Sequence, residues 1–192
     1  MAHSSPADLL VLHAVRLKGF ADTAAVAARF GLDTERTQED LLDAQAYGWV
    51  SRSSFADTAG WSLTETGYRH NEARLRDELD RAGARATVAA VHDRFLPLNG
   101  RASQLFTAWQ LGSGGATDVF GDLAGLAGEL RDLERPLAAS LGRFAGYHDR
   151  FAAALARAAR DPAWITGVDV DSCHRVWFEL HEDLIATLGV TR

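Results

Sequence analysis

DTAAVAARFGLDTERTQEDLLDAQAYGWV at residues 22–50, SRSSFADTAG at 51–60 and WSLTETG at 61–67 decide how this chain folds. Ala24, Ala27, Ala28 and Phe30 place small and apolar side chains on one face of a short helix over 24–30, small enough for a second helix to cross closely. Gly31-Leu32 is a turn. A second helix runs from about Thr34 to Tyr47, anchored in its C-terminal half by Leu41, Leu42 and Ala44 and polar in its N-terminal half. Gly48 stops it, and Trp49-Val50 enters a strand. Residues 51–60 read as a polar loop, Trp61-Ser62-Leu63 as a returning strand, and Thr64 as the cap of a further helix.

Working outward, DLLVLHAVRLK at 8–18 carries Leu9, Leu12, Val15 and Leu17 at near-helical spacing and ends at Gly19. Helix, helix–turn–helix and hairpin together form a winged helix, the arrangement that offers one helix to a DNA groove and a hairpin to the neighbouring backbone. Downstream, residues 64–95 predict one long helix with Leu75, Leu79, Ala82, Ala86, Ala89 and Val91 along a stripe, weakened at Gly83. Pro97 breaks or kinks it. Asn99 then caps a helix carrying Ala102, Leu105, Phe106 and Trp109. GSGG at 112–115 is a loop, and Asp122 caps the next helix, in which Pro136 is a kink or a new start. Asp161-Pro162 is a turn, and Asp169 or Asp171 opens the last helix. The expected fold is mainly α: an N-terminal winged helix with a small β-hairpin at 1–70, a linker helix at 71–96, and an all-α domain at 97–192 for dimerisation and possible ligand binding.

Of the 192 residues 47% are hydrophobic and 24% charged, ordinary globular proportions. No run approaches the length of a membrane span and no secretory leader is evident in MAHSSPADLLVLH, so a cytoplasmic location is expected. Cys173 is the single cysteine, which excludes an internal disulfide and cysteine-rich zinc sites. A net charge of −6 argues against a protein that coats nucleic acid indiscriminately, while leaving room for sequence-specific binding.

AARFGLDTERTQEDLLDAQAYGWV at 27–50 followed by WSLTETG resembles the winged-helix regulators of the MarR and PadR type. In that pattern an apolar-Gly-Leu turn precedes the recognition helix, Gly-apolar-Val closes it, and Leu-Thr-x-x-Gly follows the wing. The resemblance spans about residues 8–70. It implies a homodimeric regulator binding double-stranded DNA, with Thr34, Arg36, Thr37 and Gln38 meeting bases or phosphates and Arg52 and Ser53 in the wing. The chain departs from the pattern in charge. Asp33, Glu35, Glu39, Asp40 and Asp43 stand in the recognition helix against Arg36 alone, and residues 1–70 hold six basic side chains against nine acidic ones. Carboxylates near phosphates weaken binding where Lys or Arg would strengthen it. Arg74, Arg81 and Arg85, at helical spacing, are either compensating cations or a solvated face. FLPLNGRASQLFTAWQ and GVDVDSCHRVWFELHEDLIATLG resemble, more faintly, a helical domain accompanying phosphoenolpyruvate-utilising dikinase-like proteins. The chain has neither GxxxxGK[ST] nor GxGxxG.

DSCHRVWFELHE at 171–182 is the densest chemistry. Cys173, Trp177, Leu180, Leu184 and Leu188 form one helical stripe, and Asp171, His174, Phe178, His181 and Ile185 a second beside it. His174 and His181 lie about 10.5 Å apart along a helix axis, too far to share a metal with bonds of about 2 Å. No metal, cofactor or catalytic residue is assigned. Trp109, Gln110, Tyr147, His174, Trp177, Phe178, His181 and Glu182 have the composition of an aromatic-walled pocket for a small-molecule effector. The same residue types also serve as ordinary core. Asp171, one turn from His174, is expected to raise the pKa of that imidazole. Cys173, on the apolar stripe, reads as a small buried hydrophobe. Two competing functions remain: an enzyme that uses the winged helix as scaffold, and a protein-interaction module.

Overall fold

A computed structural model describes residues 2–55, 58–112 and 116–190. The chain is mainly helical, 74% of it, with one two-stranded antiparallel sheet. It divides into two compact units: Ser4–Gly83 joined by the last residues from Ala186, and Ala84–Ile185 joined by the first three residues.

The first unit starts with α1 (Ala7–Lys18), whose Leu9, Leu12, Val15 and Leu17 are buried together with Val11 and Ala14. After Gly19, Ala21 bridges antiparallel to Trp61, exchanging both backbone hydrogen bonds (3.2 and 2.8 Å). α2 (Thr23–Phe30) is capped by Asp22, which accepts from the Ala25 N–H. Gly31, at φ +64°, supplies the left-handed residue that lets Leu32 N–H close back on Ala27. α3 (Thr34–Ala46) is capped by Asp33 and turns Thr37, Leu41 and Ala44 inward. β1 (Val50–Phe55) and β2 (Thr58–Leu63) pair from Val50–Leu63 to Phe55–Thr58. α4 (Glu65–Arg81) closes the unit. The core gathers Val11, Leu12, Val15, Val26, Leu41, Val50, Trp61 and Leu63.

Leu-Thr-x-x-Gly in this unit is a device of backbone geometry. Thr64 donates its N–H to the Trp49 carbonyl (3.0 Å) and its hydroxyl to the Gly48 carbonyl (2.6 Å). Its hydroxyl in turn accepts from the Gly67 N–H (3.0 Å), capping α4. Gly67 lies so close to the Trp49 carbonyl that a Cβ there would overlap it. The motif thus ties the start of α4 to the point where α3 becomes β1.

The second unit holds α5 (Arg85–Gln110), α6 (Ala116–Ser140), a 3-10 turn (Gly142–Phe144), α7 (Tyr147–Ala158), the short α8 (Ala163–Thr166) and most of α9 (Cys173–Leu188). α5, α6 and α7 pack in sequence, burying Val88, Phe95, Phe106, Leu123, Leu130, Leu137 and Phe151.

Several sequence expectations change. The long helix of 64–95, and with it the linker helix of 71–96, is two helices: it ends at Arg81 and restarts at Arg85 around Gly83, at φ +60°. Arg85 therefore does not continue the face of Arg74 and Arg81. Arg74 pairs with Asp8 (3.0 Å), and Arg81 donates to the Asp77 carbonyl. Pro97 does not end α5; the helix continues to Gln110, because Val88, Val91, Phe95, Ala102 and Phe106 anchor both halves to the core while Pro97 faces solvent. Asn99 lies inside that helix and accepts from the Trp177 indole (3.0 Å) rather than capping. α6 begins before Asp122 and runs through Pro136. The last helix starts at Cys173, with Ser172 accepting from the Arg175 N–H. The polar loop expected at 51–60 is largely strand; its serines face solvent and leave no alternation to read. The expected loop at GSGG falls at 112–115, of which only Gly112 lies within the described residues.

Candidate functional site

The candidate residues of α3 divide by what they already touch. Thr34 and Arg36 are exposed. Arg36 is held by its own helix, Nη1 to Glu39 (3.1 Å) and Nη2 to Asp40 (3.3 Å). Thr37, expected at the DNA, is buried: it lies on the face of α3 that meets the core, and its hydroxyl donates to the Asp33 carbonyl (2.7 Å). Gln38 is half-buried and accepts from the Thr23 hydroxyl (2.7 Å), which itself accepts from the Trp61 indole (3.1 Å). That relay pins α3 to α2 and β2, so Thr37 and Gln38 act inside the unit. The outer face keeps Glu35, Glu39 and Asp43.

On the hairpin, Ser51, Arg52, Ser53 and Ser54 are all exposed. Arg52 sits opposite Trp61 in the register, with its guanidinium 5.5 Å from the indole centroid. A cation held over an aromatic face keeps its donors available to a second partner.

In the helical unit the expected pocket residues separate into groups. Trp177 is fully packed, stacked on Phe95 (5.2 Å) and edge-on to Phe151 (6.1 Å); His181 leans on the same Phe95 ring (5.4 Å). His174 meets Phe106 edge-on (4.9 Å), and Trp109 meets Phe120 (6.2 Å). Phe178 and Gln110 are exposed, and Glu182 is buried. Tyr147 is buried and donates to Asp183 (2.9 Å). Of the aromatic side chains of α9, Trp177 thus serves as the centre of a core while Phe178 faces out.

Asp171 does not raise the His174 pKa. Its carboxylate is taken by Arg150, Nε to Oδ2 (2.8 Å) and Nη2 to Oδ1 (2.6 Å), and burial lowers the His174 pKa instead. Burial likewise lowers that of His70 in the first unit, with Arg74 adding to the effect. A histidine whose folded pKa lies below 6.5 takes up protons more readily when unfolded. Its contribution to stability is therefore intact above pH 6.5 and declines as the pH falls below it. Thermal melts between pH 8 and 5 should show Tm decreasing through this window, with a smaller slope in His174→Gln; a flat profile would contradict the assignment. Cys173 is fully buried and its thiol is pushed up to about 12 by desolvation, so it is not a nucleophile at neutral pH.

A polar core runs beside these aromatics, and no local residue pattern marks it. Arg143 and Asp183, both with fully buried side chains, form an ion pair that Tyr147 completes. Arg150 bridges Asp171 and the buried Glu179 (2.7 Å). Burial works against the Arg150 charge, but the two carboxylates outweigh it and hold the guanidinium above its ordinary pKa. Its Nη1 is buried with no hydrogen-bond partner among the described residues. Glu134 accepts from the Gly146 and His148 N–H groups (2.8 and 2.5 Å), placing a carboxylate at the N-terminus of α7. Arg143 and Arg150 were missed because their partners lie 40 and 21 residues away.

Among the described residues, no group of three or more His, Cys, Asp or Glu side chains is arranged to hold a metal ion, and no helix is long and apolar enough to cross a membrane. Comparison of the chain with protein-family models, with curated proteins and with solved structures gives no match.

Proposed function

We propose that the N-terminal unit is a winged helix of the MarR or PadR type and that the protein is a homodimeric DNA-binding regulator, touching the duplex chiefly through its hairpin. The observation that carries this is the Ala21–Trp61 bridge. It joins the segment between α1 and α2 to the hairpin that follows α3, which is the connectivity that sets a wing beside a helix–turn–helix. The charge distribution supports a hairpin-led contact. The hairpin strands carry Arg52 and three exposed serines, groups that donate to phosphates, against the single Asp57 that the sequence places between them. Arg36 reaches a phosphate by leaving Asp40, whose side chain is largely buried, and the exposed Glu39, a pair that contributes only about 0–1 kcal/mol. On this reading the helical unit supplies the dimer contact and any effector site.

Selection from a random duplex pool, followed by a salt series, tests the proposal. With Arg36 and Arg52 from each of two protomers, log K should fall with log salt at a slope of about −4 or shallower. Arg52→Ala should reduce that slope by about 2 in the dimer. A folded protein that enriches no sequence at low salt would refute DNA recognition. A second reading, a protein-interaction module, is favoured by the acidic outer face of α3.

A further inference from the structure

α3 packs against α1, α2 and β1 and leaves its other face uncovered. Most of that face is polar, as a solvated helix requires, but its C-terminal end is not. Leu42 is 49% exposed and Tyr47 68%. Glu39, Leu42 and Asp43 are neighbours at helical spacing, and Tyr47 follows Asp43 by one turn.

Tyr47 is exposed yet held. Its ring stacks on Trp49 (4.6 Å, 19°), and Trp49 stacks on His70 (3.8 Å, 10°). The three rings come from the end of α3, the start of β1 and α4. A solvent-facing ring with its orientation already set loses little conformational freedom when a partner covers it, and rigid aromatic anchors of this kind dominate interface energetics. Around the anchor acidic side chains outnumber the cations: Glu39, Asp40, Asp43 and Asp8 stand against Arg36, which bridges Glu39 and Asp40, and Arg74, which pairs with Asp8. Glu39 and Asp43 flank it, with Asp40 and Asp8 close enough to interact with one another electrostatically. Arg36 is the sole cation on α3.

We propose that this surface docks a cationic amphipathic helix of a partner protein. Apolar side chains of the partner meet Leu42 and Tyr47, and its arginines meet Glu39 and Asp43, one of them lying over the Tyr47 ring. Charge complementarity selects this occupant. At this end of α3 nucleic acid would bring phosphates against Glu39 and Asp43, and a second copy docked face to face would set the same carboxylates against each other. The proposal goes beyond DNA binding through the hairpin and leaves Arg52 free for that role.

The test uses the full chain and two synthetic helical peptides, one of Leu, Ala and Arg and one with Glu replacing every Arg. Binding is read by fluorescence anisotropy, and the site by backbone amide shifts. The Arg peptide should bind and shift residues 39–49 and His70. Combined Glu39→Lys and Asp43→Lys should weaken it about tenfold or more and confer binding of the Glu peptide, while Tyr47→Ala weakens it several-fold. All three positions are exposed, and circular dichroism checks that the variants keep their helices. Three outcomes would overturn the proposal: the charge-reversed protein binds the Arg peptide as well as the parent does; the shifts fall elsewhere; or a selected DNA duplex shifts Leu42 and Tyr47 in place of the peptide.

Discussion

Gly67→Ala is expected to destabilise the N-terminal unit by about 3 kcal/mol, the range in which forcing extra atoms into a packed region falls. Helix propensity alone predicts the opposite sign, since replacing a helical glycine by alanine stabilises by about 0.5–1 kcal/mol. The decisive fact is what the new Cβ meets: the backbone carbonyl of Trp49, which also accepts hydrogen bonds from Thr64. A flexible side chain could move aside; a carbonyl that ties α4 to β1 cannot without losing those bonds. Gly125 in α6 provides the control. A Cβ there meets nothing within 4 Å, so Gly125→Ala should stabilise by the propensity gain of about 1 kcal/mol. Urea unfolding of both variants checks the pair. If Gly67→Ala proves neutral or stabilising, the close approach to Trp49 is not part of the folded protein.

The second large effect is expected at Asp183. Its carboxylate accepts from Arg143 and from Tyr147, and the side chains of the ion pair have no exposed surface. Removing one partner of a buried ion pair typically costs about 3–5 kcal/mol, because the other charge stays in a medium that solvates it poorly. Asp183→Ala should therefore destabilise the helical unit by about that amount. Asp183→Asn keeps an acceptor for Tyr147 and should lose less. Replacing both charges, Arg143→Met with Asp183→Leu, should recover most of the loss, since apolar pairs of similar volume often replace buried ion pairs at no net cost. Should the double variant be as unstable as Asp183→Ala, packing around α9 rather than the buried charge would be the cause.

Much of the first unit was legible in the residues. Thr64 is the cap it was read to be, and Gly48 ends the second helix of the turn motif. In the stripe of Cys173, Trp177, Leu180, Leu184 and Leu188 the first four are buried as their spacing implies, and Leu188 at the end is half-buried. The full length of the hairpin was not legible, because its outward residues include serines and, among the described side chains, Val50, Trp61 and Leu63 are the apolar ones that pack inward. Nor was the division of 64–95 into α4 and α5. Gly83 could be seen to weaken the helix, but whether a helical glycine bends the chain or continues it depends on what the flanking segments bury. Of the candidate contact residues, Thr37 and Gln38 were indistinguishable from Thr34 and Arg36 until the positions of Asp33 and Thr23 were known.

What the sequence by itself determined here is local: the ends of α1, α2 and α3, the cap of α4, and the acidic sign of α3. Caps, glycines and periodicity act within a few residues, so they can be read in a few residues. Tertiary structure alone decided which polar groups left water. A buried charge needs a partner, and the partner arrives from elsewhere in the chain: Asp183 for Arg143, Asp171 and Glu179 for Arg150, Asn99 for Trp177. The same holds for Tyr47, an ordinary tyrosine in sequence, which only the stack with Trp49 and His70 turns into a fixed, solvent-facing ring.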